Sequence, residues 1–215
     1  MQKETLNYLI QQPKVVLDKN PLLLLIHGYG SNEEDLFSFA SELPETHFVI
    51  SVQAPHAKPP YGYAWYAIEF DAFMNKFTDD AQAIESRDLL VQFIDEVCEK
   101  YPIDRRDVNL IGFSQGAILS YAIAITYPEK VNKVVALSGY FHSEIMSPKE
   151  DLSAYNHLSF FCSHGSSDQV IPVDWARKTP QFLNELHIKN EYKEYPVGHG
   201  VAPQNFFDFR KFLTS

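Results

Sequence analysis

A serine hydroxyl is a poor nucleophile at neutral pH unless a neighbouring base takes its proton. A serine held in a strained turn therefore prompts a search for that base. Gly112-Phe113-Ser114-Gln115-Gly116 is such a setting, because it lies where an apolar stretch passes into helix-forming residues. A strand-to-helix turn this sharp forces the serine into an unusual backbone conformation, and small residues on both sides let the chains pass. It lifts Oγ clear of the sheet at a helix N-terminus, where developing negative charge is stabilised. Of the eight histidines, His199 in Pro196-Val197-Gly198-His199-Gly200 is the one that falls between the last strand-like stretch and the last helix. Its loop is expected to open on the same sheet edge as Ser114. His164 also follows a strand-like stretch but precedes the best acid. His47, His56, His142, His157 and His187 read as surface or satisfied side chains. Asp168, in Gly165-Ser166-Ser167-Asp168-Gln169-Val170-Ile171-Pro172, lies between Ser114 and His199. The chain order Ser…Asp…His suits an orienting carboxylate in this arrangement. Asp174, beside Trp175, reads instead as a helix cap.

Acyl transfer through such a trio also needs donors aimed at the oxyanion, and backbone amides serve best because they need no reorganisation. One is the amide after the nucleophile, Gln115. The other is sought in His27-Gly28-Tyr29-Gly30, at the end of the first buried strand, with Tyr29 as the donor. On this reading the side chains of Tyr29 and Gln115 matter little, and His27 ties its loop together through its ring nitrogens.

These residues require a scaffold that brings distant loops to one edge. Residues 22–26 are wholly apolar and end in glycine and turn residues, as a buried strand does. Ser31 or Asn32 caps a helix with an acidic first turn, an apolar side formed by Leu36, Phe37, Phe39 and Ala40, and Pro44 beyond its end. Residues 48–52 form the next strand. Residues 55–78 are an aromatic loop excursion with three prolines and with Tyr61, Tyr63, Trp65, Tyr66, Phe70 and Phe73. Asp79 or Asp80 opens a long helix in which Ile84, Leu89, Leu90, Phe93, Ile94 and Val97 recur at helical spacing, ending near Tyr101-Pro102. Strands at 108–113, 134–138, 158–162 and 191–195 then alternate with helices at 115–126, 175–186 and 203–213, with a polar loop at 143–155. This alternation predicts one α/β domain over residues 1–215: a mainly parallel, doubly wound sheet with helices on both faces. Active groups of such sheets collect at the carboxyl ends of the strands.

Composition narrows the function classes. With 215 residues, 45% apolar and 14% aromatic, the chain can bury a full core, so disorder is excluded. Eighteen basic against 28 acidic residues, a formal charge of −10, argue against nucleic acid as a partner. No apolar run approaches the roughly 18 residues of a membrane helix, and no basic head precedes an apolar leader. Two cysteines, Cys98 and Cys162, read as reduced thiols. A cytoplasmic location is the resulting expectation.

With these motifs in view the sequence resembles the phospholipase/carboxylesterase family of α/β-hydrolases, which includes the acyl-protein thioesterases. The similarity runs from Leu22 to about Phe212. The matching stretches are L-L-I-H-G-Y-G-S-N-E-E-D-L, Q-A-P, A-W-Y at residues 64–66, N-L-I-G-F-S-Q-G-A, A-L-S-G-Y, H-G-S-S-D-Q-V-I-P and Y-P-V-G-H-G. The chain has Gly116-Ala117 where relatives often have Gly-Gly, Tyr29 where leucine is common, and Ala67-Ile68 before Glu69. The resemblance implies an α/β-hydrolase fold without a large cap domain. It implies a serine esterase or thioesterase with Ser114, Asp168 and His199 as its triad, and with amides of Tyr29 and Gln115 as oxyanion donors. No metal or cofactor is expected, and the partner is a small-molecule or lipid acyl ester or thioester. The excursion is expected to wall the acyl site, with Trp65 and Tyr66 touching substrate; a self-packed surface loop is the alternative. A homodimer is compatible with the pattern. A non-catalytic binder or a small peptidase on the same fold are the competing readings.

Overall fold

The computed structural model describes residues 5–60, 62–70 and 76–215. Its centre is a seven-stranded sheet: β1 (Tyr8–Gln11), β2 (Asn20–Ile26), β3 (Phe48–Val52), β4 (Ile103–Phe113), β5 (Lys133–Leu137), β6 (Ser159–Gly165) and β7 (Lys189–Tyr195). The spatial order is β1-β3-β2-β4-β5-β6-β7. Only the β1–β3 pairing is antiparallel; the other pairs are parallel. The strands are covered by α1 (Glu34–Phe37), α2 (Asp80–Lys100), α3 (Gln115–Thr126), α4 (Val173–Ala176), α5 (Thr179–Glu185) and α6 (Pro203–Leu213).

The unbroken apolar run of β2 follows from burial on both faces. Leu22, Leu24 and Ile26 join the core with α2 and α3, whereas Leu23 and Leu25 join the core on the other face with Leu36, Phe206 and Phe209. Helix α3 has every residue buried, which explains why its sequence is apolar all round rather than striped. At the start of α2 the Asp79 carboxylate accepts from the Gln82 amide at 3.0 Å, capping the helix as its sequence suggests.

Several boundaries differ from the sequence reading, each for a local reason. Strand β1 is short and half-buried, without the alternation that would reveal it. Strand β4 begins five residues before the expected start at 108, because Ile103 already pairs with Asn20 before residues 104–107 bulge out of the ladder, which resumes with Val108 opposite Leu22. The helix expected at 175–186 is two helices, α4 and α5, with Pro180 in the first turn of the second, where its missing N–H is tolerated. The helix expected after Ser31 is the single turn α1 followed by the 3₁₀ turn Ala40–Glu42. The polar loop at 143–155 contains two 3₁₀ turns that bury Ile145 and Tyr155. The excursion contains two small hairpins, His56–Ala57 with Tyr63–Ala64 and Ile68–Phe70 with Lys76–Thr78. Tyr61 and Phe73 lie outside the described residues.

From β2 the chain moves outward to β3, which lies between β2 and β1, then crosses back past β2 to β4 and winds the other way to β7. The strand order therefore reverses between β2 and β4, and the crevice above their carboxyl ends is where ligands bind in sheets of this kind.

Candidate active site

Ser114 follows β4 directly, with φ 53° and ψ −115°, outside the regions a serine normally occupies. Three contacts hold that conformation. The Ser114 amide donates to the Leu137 carbonyl at 2.9 Å, and the Ser114 carbonyl accepts from the amides of Ala117 and Ile118 as the first turn of α3. The flanking glycines are needed for close approach. A Cβ on Gly116 would lie 1.9 Å from the Ile26 carbonyl oxygen, and one on Gly112 would lie 2.3 Å from the Gly116 oxygen.

His199, in the loop between β7 and α6, brings Nε2 to 3.0 Å from Ser114 Oγ and Nδ1 to 2.7 Å from Asp168 Oδ2. With Nδ1–H donating to the carboxylate, Nε2 is left to accept from the serine hydroxyl. The Phe113 ring lies 4.9 Å from the imidazole centroid to centroid and limits its tilt. Asp168 follows β6, and its side chain is fully buried. Oδ1 accepts from the Val170 and Ile171 amides at 2.8 and 2.9 Å. Burial pushes this carboxyl up, but the hydrogen bonds from His199, Ile171 and Val170 outweigh it and hold it below its ordinary value of 3.8. The three groups, distant in sequence, thus form one hydrogen-bonded chain at one edge of the sheet.

Beside Ser114, the loop after β2 is fixed through His27. Its Nδ1 donates to the Gly28 carbonyl at 2.7 Å and its Nε2 accepts from the Ala54 amide at 3.0 Å. Burial lowers the pKa of this ring, with the Gly28 carbonyl opposing. His27 thus ties the loop through both nitrogens, as expected. Among the described residues, neither the Tyr29 amide nor the Gln115 amide has an acceptor within the protein. Both belong to residues that line the cavity over Ser114.

That cavity, of about 300 Å³, has Ser114 and His199 among its walls; Ile68, Ile118, Val170 and Ile171 give it apolar surface, and Tyr66, Tyr140 and Thr78 add hydroxyls. Tyr66 is among its walls. Trp65, expected to touch substrate, is not: it has no exposed surface. The ring is consumed by scaffolding. Its Nε1 donates to the His27 carbonyl at 2.9 Å, its backbone carbonyl accepts from Ser86 Oγ of α2, and its amide donates to Gln115 Oε1 at 3.1 Å. Gln115 also donates from Nε2 to the Tyr66 carbonyl at 2.8 Å. Its side chain is therefore not incidental, because it holds the 65–66 backbone against the start of α3. Tyr29 is not incidental either, since its ring lies beneath the Lys58 ammonium at the cavity mouth. Asp174 caps nothing: Pro172 occupies the N-cap of α4, and Asp174 accepts from Arg177 Nη1 at 2.8 Å. Tyr140 and Ile118 were missed because one follows a strand and the other sits in a uniformly apolar helix, so neither position carries a signal of its own.

Comparison with known proteins agrees with this architecture. Residues 9–215 match the family model described as Phospholipase/Carboxylesterase. The chain is 31% identical over 206 residues to acyl-protein thioesterase 1 of Yarrowia lipolytica, an alignment covering 89% of each protein. The alignment to acyl-protein thioesterase 1 of Debaryomyces hansenii, 29% identical over 131 residues, covers 60% of this chain and 56% of that protein. Among solved structures, a carboxylesterase of Bacillus cereus superposes with a TM-score of 0.82 at 20% identity, covering 97% of this chain and 93% of the other. The Zea mays acyl-protein thioesterase 2 gives 0.78 at 19% identity, with 97% of each chain covered. The structural matches establish the fold. Together with the match of the family model over nearly the whole length, they mean that this chain belongs to the phospholipase/carboxylesterase family of α/β-hydrolases.

Proposed function

We propose that the protein is a serine carboxylic-ester hydrolase, acting on acyl esters or thioesters through an acyl-enzyme on Ser114. The observation that carries this reading is the unbroken hydrogen-bond chain from Ser114 Oγ through His199 to the buried Asp168, lying in the wall of a largely apolar cavity. In the first half-reaction His199 Nε2 takes the hydroxyl proton as Oγ bonds to the acyl carbon. Negative charge moves onto the carbonyl oxygen, within reach of the amides of Tyr29 and Gln115. Collapse breaks the bond to the leaving alkoxide or thiolate, which receives the proton from His199. In the second half-reaction water loses a proton to the same nitrogen and adds to the acyl-enzyme. Its collapse releases the carboxylic acid and returns the proton to Ser114. Asp168 keeps Nδ1 protonated and stabilises the imidazolium, without accepting a proton itself. No step calls on a metal or an organic cofactor.

The test is pre-steady-state hydrolysis of p-nitrophenyl esters of increasing acyl length, beside the matching thioesters. The expected result is a burst of nitrophenol approaching one equivalent per chain, followed by slower turnover. Binding without turnover of any ester would mark the fold as a receptor instead. Cleavage of peptides in preference to esters would favour a peptidase.

A further inference from the structure

His164, the penultimate residue of β6, lies beside Asp168 and has no assigned part in the relay described above. Its side chain has no exposed surface, and neither has that of Asp168. Its Nε2 lies 2.9 Å from the Ile171 carbonyl oxygen and 3.1 Å from Asp168 Oδ2. A carbonyl can only accept, so Nε2 must carry the hydrogen and donate it to Ile171, while Asp168 Oδ2 lies close to the same nitrogen. Nδ1 is buried with no partner. Leaving a buried ring nitrogen unpaired is costly, so a ring retained solely for packing would be better replaced by an apolar one. What the histidine gains is the Nε2–H contact.

We propose that His164 is a positioning residue for Asp168. The carboxylate has three hydrogen-bond donors, the amides of Val170 and Ile171 on Oδ1 and His199 Nδ1 on Oδ2, and His164 Nε2 adds a close polar contact with Oδ2 at 3.1 Å. The two amides alone leave the carboxylate a hinge about its own axis. The imidazole at 164 closes that freedom by holding the Ile171 carbonyl and lying against Oδ2, so that Oδ2 stays in line with Nδ1 and the His199 ring stays directed at Ser114. Glu194 is the other charged group facing His164, across the β6–β7 ladder, and it is engaged by Arg177 at 2.8 Å. The inference rests on Ser114 being the nucleophile.

The experiment compares His164→Phe, His164→Gln and His164→Asn with wild type and with Ser114→Ala. Readouts are kcat, KM, the pH profile of kcat/KM and the thermal midpoint. Glutamine can put a donor nitrogen where Nε2 stands; asparagine, one methylene shorter, cannot. Expected are a fall in kcat of about tenfold to a hundredfold for Phe and Asn with KM within about twofold, and near wild-type kcat for Gln. The acid limb of kcat/KM should move to higher pH in Phe and Asn, because a carboxylate that loses the polar N–H group beside Oδ2 holds the His199 imidazolium more strongly. If the Phe variant does not fold, the contrast between Gln and Asn carries the test. Wild-type kcat and an unmoved acid limb in Phe or Asn, or equal losses in Gln and Asn without a moved limb, would overturn the inference while leaving Ser114 its role. Full activity in Ser114→Ala would instead remove the underlying reading, and this one with it.

Discussion

The edge formed by the ends of β2, β4, β6 and β7 and the wall formed by the 55–78 excursion use their side chains in opposite ways. At the edge, each reactive group directs a polar atom at its neighbour, and two of the three are almost wholly enclosed: Ser114 is 8% exposed and Asp168 7%. In the excursion, a ring expected to meet substrate turns inward. Trp65 is spent on three hydrogen bonds that bind the loop after β2, helix α2 and helix α3 to one another. Tyr66, its immediate neighbour, does reach the cavity. The difference lies in what fixes each position. Strand ends in a parallel sheet have one place to go, whereas a loop that leaves the sheet must satisfy its own backbone, and the side chains near it are recruited for that task.

The comparison is broken most sharply at the edge. Ser114→Ala or His199→Ala should lower kcat by on the order of 10⁴-fold to 10⁶-fold, with the thermal midpoint essentially unchanged. A clean, folded variant that keeps more than a per cent of wild-type turnover would contradict the relay. Trp65→Ala should do the reverse. Loss of a fully buried indole predicts destabilisation of about 3–5 kcal/mol in urea titration, with the acyl-length preference of the folded fraction unchanged. A shifted preference with little loss of stability would restore Trp65 to the substrate wall.

Gln115→Ala falls between the two regions because its side chain joins them. The Trp65 amide and the Tyr66 carbonyl would each lose a buried partner, a cost of about 1–3 kcal/mol apiece. Displacement of the cavity wall should also lower kcat by roughly tenfold. A variant indistinguishable from wild type would show that the backbone amide alone matters. The smallest expected effect is on acid stability. Asp168 has a depressed pKa in the folded protein, so the stabilisation it contributes is fully present above the unfolded value of 3.8 and is lost as pH falls through the lower folded value. The stability gap between wild type and Asp168→Asn should therefore be widest near neutral pH and narrow as pH falls below that value. A gap that does not vary with pH would contradict the assignment of the charge to this carboxyl.

What could be read from the sequence follows the same division. The G-x-S-x-G turn, the H-G-x-G loop and the placement of Asp168 and His199 after successive strands are legible because each sits at a change of hydrophobic period, where a topological rule says which edge it joins. The bounds of α3 and α6 match because composition marks them and, for α6, so does Pro203 in its first turn. Helices α4 and α5 read as one in the sequence because the apolar pattern spans Pro180, although the proline itself marks the break. His164 illustrates a different limit. Its four-residue spacing from Asp168 is visible in H-G-S-S-D, but only the turn after β6 reveals that the ring points at the carboxylate rather than away from it. The fate of Trp65 had no signal at all, because a tryptophan in a loop looks the same whether it lines a cavity or fills a core.

The most direct measurement of the central claim is covalent labelling by a fluorophosphonate, with the adduct located by mass spectrometry of the digested protein. The account predicts one adduct per chain, on the peptide bearing Ser114, with a labelling rate that collapses in His199→Ala and vanishes in Ser114→Ala. An adduct on another serine, or undiminished labelling in the absence of His199, would contradict it.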